Sequence, residues 1–136
     1  MTAGRTIISQ SQSWCTPKIY VDAIREFFGG VIDLDPCSNE YSIVEASVEY
    51  KPPMDAFQLS WDYPRIFVNP PYGSDRHQGT SIRDWLRLCW EARQKGSEVL
   101  ALIPVATNTS HWKRFVWGKA TSISFLADTR LKFLKN

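Results

Sequence analysis

The chain has too few cysteines to build a covalent framework. Cys15, Cys37 and Cys89 are odd in number, widely spaced and without a C-x-x-C pair, which excludes a disulfide scaffold and the usual zinc spacing. Three reduced thiols are expected instead, as in cytosolic proteins. His77 has no partner ligands at metal-binding spacing, so no metal is expected either. No apolar run approaches the ~18 residues that cross a bilayer, and Met1-Thr2-Ala3-Gly4-Arg5 lacks the apolar stretch of a secretory signal. A cytoplasmic protein without membrane contact is the expectation. Repeats, low-complexity tracts and linkers are missing as well, so the chain divides only into a polar arm over 1–13 and a single layered domain over 14–136.

What is present suffices for a core: 136 residues, of which 43% are hydrophobic and 13% aromatic. The net charge of +2 conceals a division. Residues 1–73 carry 5 basic against 9 acidic side chains, and residues 74–136 carry 11 against 5. An acidic half suits a cationic or hydroxyl-rich ligand, and a basic half suits a phosphate backbone.

The first element is a helix in which Thr16 caps, Pro17 fills the first position, and Tyr20, Ala23, Ile24, Phe27 and Phe28 form the apolar stripe before Gly29-Gly30. A strand over Val31–Asp35 follows and breaks at Pro36. From 38 to 64 the pattern is weak, with helical stretches expected around 40–46 and an extended piece near 47–50. Arg65–Val68 is a buried strand that runs directly into two prolines. A long helix over 81–95 shows Ile82, Trp85, Leu86, Cys89 and Trp90 on one stripe, with Ser81 and Asp84 as a cap pair. A buried strand over 98–103, a basic helix near 109–117 and strand-like runs over 121–127 and 130–134 complete the chain. Alternating strands and helices predict an α/β domain with a mostly parallel sheet. Ligands in such sheets collect beyond the strand carboxyl ends, where both Asp35-Pro36 and Asn69-Pro70 fall.

Asn69-Pro70-Pro71-Tyr72 points to chemistry on a planar amine. The exocyclic amine of adenine is a poor nucleophile because its lone pair is delocalised into the ring. Two acceptors, the side-chain oxygen of Asn69 and the backbone carbonyl of Pro70, can take its two N–H groups and stabilise the positive charge that develops on methyl transfer. Proline fixes the turn and has no N–H of its own, so carbonyls remain to face the site. No tuned general base is needed, since the methylated ammonium is strongly acidic. The target amine is inaccessible inside a duplex, so the base must be extruded at a cost of a few kcal/mol. Stacking on Tyr72, worth ~1–3 kcal/mol, offsets that cost. Each of these residues also has a bland role, a Pro-Pro turn that merely ends a strand with Tyr72 on the surface.

With these motifs the chain resembles the small phage-type DNA N6-adenine methyltransferases of the Dam-like family, over most of residues 13–134. Ser13-Trp14-Cys15-Thr16-Pro17 is similar to the family's opening motif, Leu34-Asp35-Pro36-Cys37 to its cofactor motif, and Asp55 to Trp61 to the segment before the catalytic strand. Phe67 to Gly73 is similar to its catalytic motif, and Ala101 to Val105 with Thr107 and Trp112 to the strand and loop that follow. The resemblance implies a reduced, Rossmann-like methyltransferase fold with helices on both faces of the sheet. It also implies S-adenosylmethionine as cofactor, with Thr16 and Pro17 near its methionine end, Asp35 near its amino acid or sulfonium, and Asp55 near its adenine. A glycine-rich turn after the first strand is missing, so Pro36, Cys37 and Ser38 would form the cofactor loop; Glu45 and Glu49 remain alternatives for the ribose acid. Double-stranded DNA is the implied partner, and protection of phage DNA from restriction the implied role.

Family members usually continue past Arg130-Leu131-Lys132-Phe133. The final strands of the fold are thus expected to be missing, with the open sheet edge covered by a second copy in a homodimer. Arg76 and His77, in the polar segment after the catalytic turn, are candidates for contacts to the strand around the extruded base. Lys113 and Arg114, with Lys119, Arg130 and Lys132, are candidates for phosphate neutralisation. Two rivals stand beside this reading: a methyltransferase acting on a protein glutamine, a cytosine N4 or an RNA base, and a truncated noncatalytic module that binds DNA or a protein partner.

Overall fold

The structure, a computed structural model, describes residues 15–71, 74–75 and 80–125. The polar arm, Tyr72, Arg76, His77 and the run over 130–134 lie outside the described residues.

Helix α1 spans Lys18–Phe27. Pro17 is its extended N-cap, not its first helical residue, and the Pro17 carbonyl accepts the N–H groups of Tyr20 and Val21 at 3.0 and 3.1 Å. Thr16 does not cap the helix, because its hydroxyl is engaged by Asn69. The buried stripe is Val21, Ile24 and Phe28, narrower than the spacing predicts; Phe27 is 62% exposed. Phe27 lies six residues, or about 240°, round the axis from Val21, so a helix that turns Val21 inward leaves Phe27 in solvent. The helix ends in a Schellman motif: Gly29 N–H bonds to the Glu26 carbonyl at 3.0 Å and Gly30 N–H to that of Arg25 at 2.8 Å. Gly29 has φ +81°, a conformation that penalises any side chain.

Six strands follow: β1 (Leu34–Asp35), β2 (Val48–Glu49), β3 (Arg65–Val68), β4 (Ser74–Asp75), β5 (Thr80–Ser81) and β6 (Glu98–Ala101). Four of them form one sheet in the order β2-β1-β3-β6, every neighbouring pair parallel. The first strand is shorter than its alternation predicts, with Val31 already 40% exposed. β4 and β5 pair antiparallel, Ser74 opposite Ser81, and return the chain to helix α2 (Ile82–Gln94). The predicted cap pair forms: Ser81 N–H donates to Asp84 Oδ2 at 2.9 Å, and Ser81 Oγ lies 3.3 Å from the same oxygen.

The predicted helical stretch over 40–46 does not form. Asn39 Oδ1 accepts the Tyr41 N–H at 2.8 Å and Ser42 Oγ accepts the Val44 N–H at 3.1 Å. These local bonds compete with a helix, and Glu45 at φ +54° breaks the path altogether. The basic helix expected near 109–117 forms over 110–116, mostly as the π-helical segment Trp112–Val116, docked through Trp112 and Val116 on Ile82 and Leu86. Strand β6 is half-buried and not fully buried, because among the described residues it is a sheet edge. Residues 121–125 join no strand among the described residues, although Phe125 stacks on Trp112 with ring centroids 6.5 Å apart.

Helices pack on both faces. On one, Trp85, Cys89 and Ala92 of α2 cover Leu34, Ile66 and Val68; on the other, Val21, Ile24 and Phe28 cover Phe67 together with Ile32 and Val44. Trp90, predicted on the inner stripe of α2, is half-buried beneath the cations of Lys119 and Arg93, at 5.0 and 5.8 Å from its ring. The architecture is a minimal, Rossmann-like α/β fold. Among the described residues no helix is long and apolar enough to cross a membrane.

The inward turn of α1 separates two adjacent aromatic residues sharply. Phe28→Ala should lower unfolding free energy by about 3–5 kcal/mol, whereas Phe27→Ala should change it by less than about 1 kcal/mol, as measured by urea denaturation. Equal losses from both would show that the helix presents a different face.

Candidate active site

Strands β1 and β3 are neighbours, yet the chain leaves them in opposite directions. From β1 it goes to β2 on one side, along a connection whose Val44 packs on the α1 face; from β3 it goes through α2, on the other face, to β6. Such a divergence opens a crevice at the strand carboxyl ends, where ligands of α/β sheets bind. Asp35 ends β1 and Asn69 follows the last residue of β3, so parallel pairing of Leu34 with Ile66 brings both to this edge.

Asp35 is only 2% exposed. Its Oδ1 accepts the Cys37 N–H at 3.1 Å, the local turn that Pro36 makes possible. Burial pushes the carboxyl up from its ordinary value near 3.8 to about 7; the Cys37 N–H pulls against this, the Glu49 carboxylate adds to it and Lys51 opposes it. Glu49 stands beside Asp35 in the sheet register, with its carboxylate 3.3 Å from Lys51 Nζ and accepting the Ala46 N–H. Glu45 precedes β2 and so lies towards the opposite edge. The Cys37 thiol is pushed far up by burial and by the Asp35 charge, which keeps it protonated and unreactive.

Asn69 is half-buried, Pro70 buried and Pro71 half-buried. The Asn69 Nδ2 donates to Thr16 Oγ1 at 2.9 Å, and Thr16 is itself 5% exposed. Among the described residues, neither Asn69 Oδ1 nor the Pro70 carbonyl accepts a hydrogen bond. Two acceptors at the sheet edge that Asp35 also occupies are thus left without a donor among the described residues, an arrangement suited to an amine that carries two N–H groups.

The other predicted residues are not all gathered here. Pro17 caps α1 directly after Thr16, and Pro36 is fully buried behind Asp35. Asp55 is exposed and caps a turn. Its Oδ1 accepts the Phe57 N–H at 2.9 Å and caps the 3-10 turn Ala56–Gln58, and among the described residues no hydrogen bond joins it to Asp35 or Asn69. Lys113 and Arg114 are exposed on the π-helical turn and form no ion pair among the described residues. Lys51 is not legible in the sequence as a site residue; the spacing Glu49-x-Lys51 at a strand end is the signal that could have found it. Among the described residues no three His, Cys, Asp or Glu side chains gather as a metal site.

A parallel α/β protein with an acid and a half-buried carboxamide at its switch point is the class that this geometry defines. A family model for DNA N-6-adenine-methyltransferase (Dam) matches residues 4–136, and the chain belongs to that family. No curated protein and no solved structure matches it.

The raised Asp35 value has a definite sign. Folded Asp35 keeps its proton over a pH range in which the unfolded chain has lost it. Its stabilising contribution is thus complete below the unfolded value near 3.8 and is lost as pH rises through about 7. Asp35→Asn cannot ionise, so its stability relative to the parent chain should improve from pH 5 to pH 8 in urea titrations. A gap between the two that does not change with pH would contradict the assignment.

Proposed function

We propose that the chain transfers a methyl group from S-adenosylmethionine to the N6 amine of an adenine extruded from double-stranded DNA. The observation that carries this reading is a pair of acceptors, Asn69 Oδ1 and the Pro70 carbonyl, that no donor among the described residues engages, at the same sheet edge as buried Asp35.

The donor set suits the cofactor. Asp35 is an acid held in a poor environment for negative charge, with a backbone N–H as its hydrogen-bond donor and a second carboxylate nearby. A cationic ammonium or sulfonium gives it the countercharge that the fold withholds. Glu49, beside Asp35 in the register, is the better placed of the two acids for the ribose hydroxyls. Pro36 and Cys37 form the turn after Asp35, and by family resemblance Pro17 approaches the methionine end of the cofactor and Asp55 its adenine end. When bound, S-adenosylmethionine supplies an electrophilic methyl on sulfur.

The residues of the chain do the rest. Asn69 Oδ1 and the Pro70 carbonyl accept the two N–H groups of the target amine, draw it from planarity and stabilise the charge that develops on nitrogen. Pro70 and Pro71 hold these acceptors in place before the substrate arrives, so little reorganisation is needed. Tyr72 stacks on the extruded base. Arg76, His77, Lys113 and Arg114 contact the DNA backbone, in keeping with the excess of positive charge after residue 73.

Incubation of the purified protein with methyl-labelled cofactor and DNA, RNA or protein should place label on DNA adenine. Asn69→Ala should lower kcat by about a hundredfold or more while calorimetry still detects cofactor binding. Label on protein or RNA alone would overturn the proposal, and no binding heat with the cofactor would favour a noncatalytic module.

A further inference from the structure

The hydroxyl of Thr16 is where a helix cap would be, and it does not cap. It meets the Asn69 side chain instead, 53 positions along the chain, at 2.9 Å and nearly out of solvent. From this we infer that Thr16 is a positioning residue for the Asn69 carboxamide, holding its Nδ2 end against the protein so that Oδ1 faces the reacting amine. The inference rests on the reading of Asn69 as an acceptor for that amine.

An asparagine amide is nearly symmetrical in shape but opposite in hydrogen-bonding sense at its two ends. Turned one way it offers an acceptor to an amine; turned the other it offers two donors, which an amine with two N–H groups cannot use. Inside a half-buried turn, the end facing the protein needs a partner of its own, because an unsatisfied polar group there is costly. Thr16 Oγ1 supplies that partner as an acceptor for Nδ2, which leaves Oδ1 directed away from the protein contact. Donation from Nδ2 also polarises the amide and enriches charge on Oδ1, strengthening its hold on an incoming N–H. The hydroxyl reaches this position because Pro17 caps α1 through its backbone carbonyl, which frees the Thr16 side chain from the helix.

A hydroxyl and not merely a β-branched shape is therefore required at position 16. Thr16→Val keeps the volume and removes the acceptor. Its kcat should fall about tenfold, the order expected for one buried hydrogen bond, with the KM for DNA within about twofold. Thr16→Ser should restore most of the loss. Independently of activity, the side-chain amide protons of Asn69 in nitrogen-15 NMR spectra should move upfield and exchange faster in Thr16→Val but not in Thr16→Ser. If Thr16→Val does not fold, Thr16→Ala against Thr16→Ser gives the same comparison. An unchanged kcat in Thr16→Val, or weakened cofactor binding as its sole effect, would overturn the inference. Should the parent chain leave DNA unmethylated, the adenine reading fails by itself, and the NMR comparison still decides whether Thr16 holds the amide.

Discussion

The parallel pairing of β1 with β3 is the constraint from which the site follows. A single register contact, Leu34 opposite Ile66, sets how far each strand extends at the carboxyl edge. Both residues are fully buried, covered by Trp85, Cys89 and Ala92 of α2. Because side chains alternate along a strand, a slip by one residue would turn Ile66 and Val68 to the α1 face and expose Phe67 to the wrong helix. The same slip would carry Asn69 out of step with Asp35. Core packing and site geometry are thus one specification, written in the alternation of Ile66, Phe67 and Val68.

Polar placement around this edge follows one logic. Proline residues stand immediately after both acidic and carboxamide positions, at 36 and at 70 and 71, and end each ladder where a ligand would need access. Asp35 is left with little internal compensation, whereas the nearby Glu49 is matched by Lys51 and the Ala46 N–H. The contrast matters because both are carboxylates in neighbouring strands. One is satisfied by the fold, and the other is held at a free-energy disadvantage that a cation can relieve. Such a division is common where a protein must hold charge ready for a ligand.

Much of this is legible in the sequence. Strand β3 and its terminating prolines, the cap pair Ser81 and Asp84, the stop at Gly29-Gly30 and the layered α/β order all follow from local chemistry. What is not legible depends on contacts distant in sequence. Thr16 followed by Pro17 has the form of a helix start, and nothing local reveals that its hydroxyl belongs to Asn69. Periodicity alone assigns the wrong stripe to α1, because Tyr20, Ala23 and Phe27 satisfy the helical period as well as Val21 does; only the position of Phe67 decides between the two. Asp55 has the local form of a turn cap as well as of a ligand, and its Oδ1 makes the cap.

Ser81 ends β5 and also begins α2, so one residue is shared by a ladder and a helix. Its N–H is held by Asp84 while its backbone pairs with Ser74, two positions beyond Tyr72. Closure of the excursion between 75 and 80 and initiation of the helix are therefore a single cooperative event. Any change that parts Ser74 from Ser81 frays the first turn of α2, and with it the packing of Trp85 against β3.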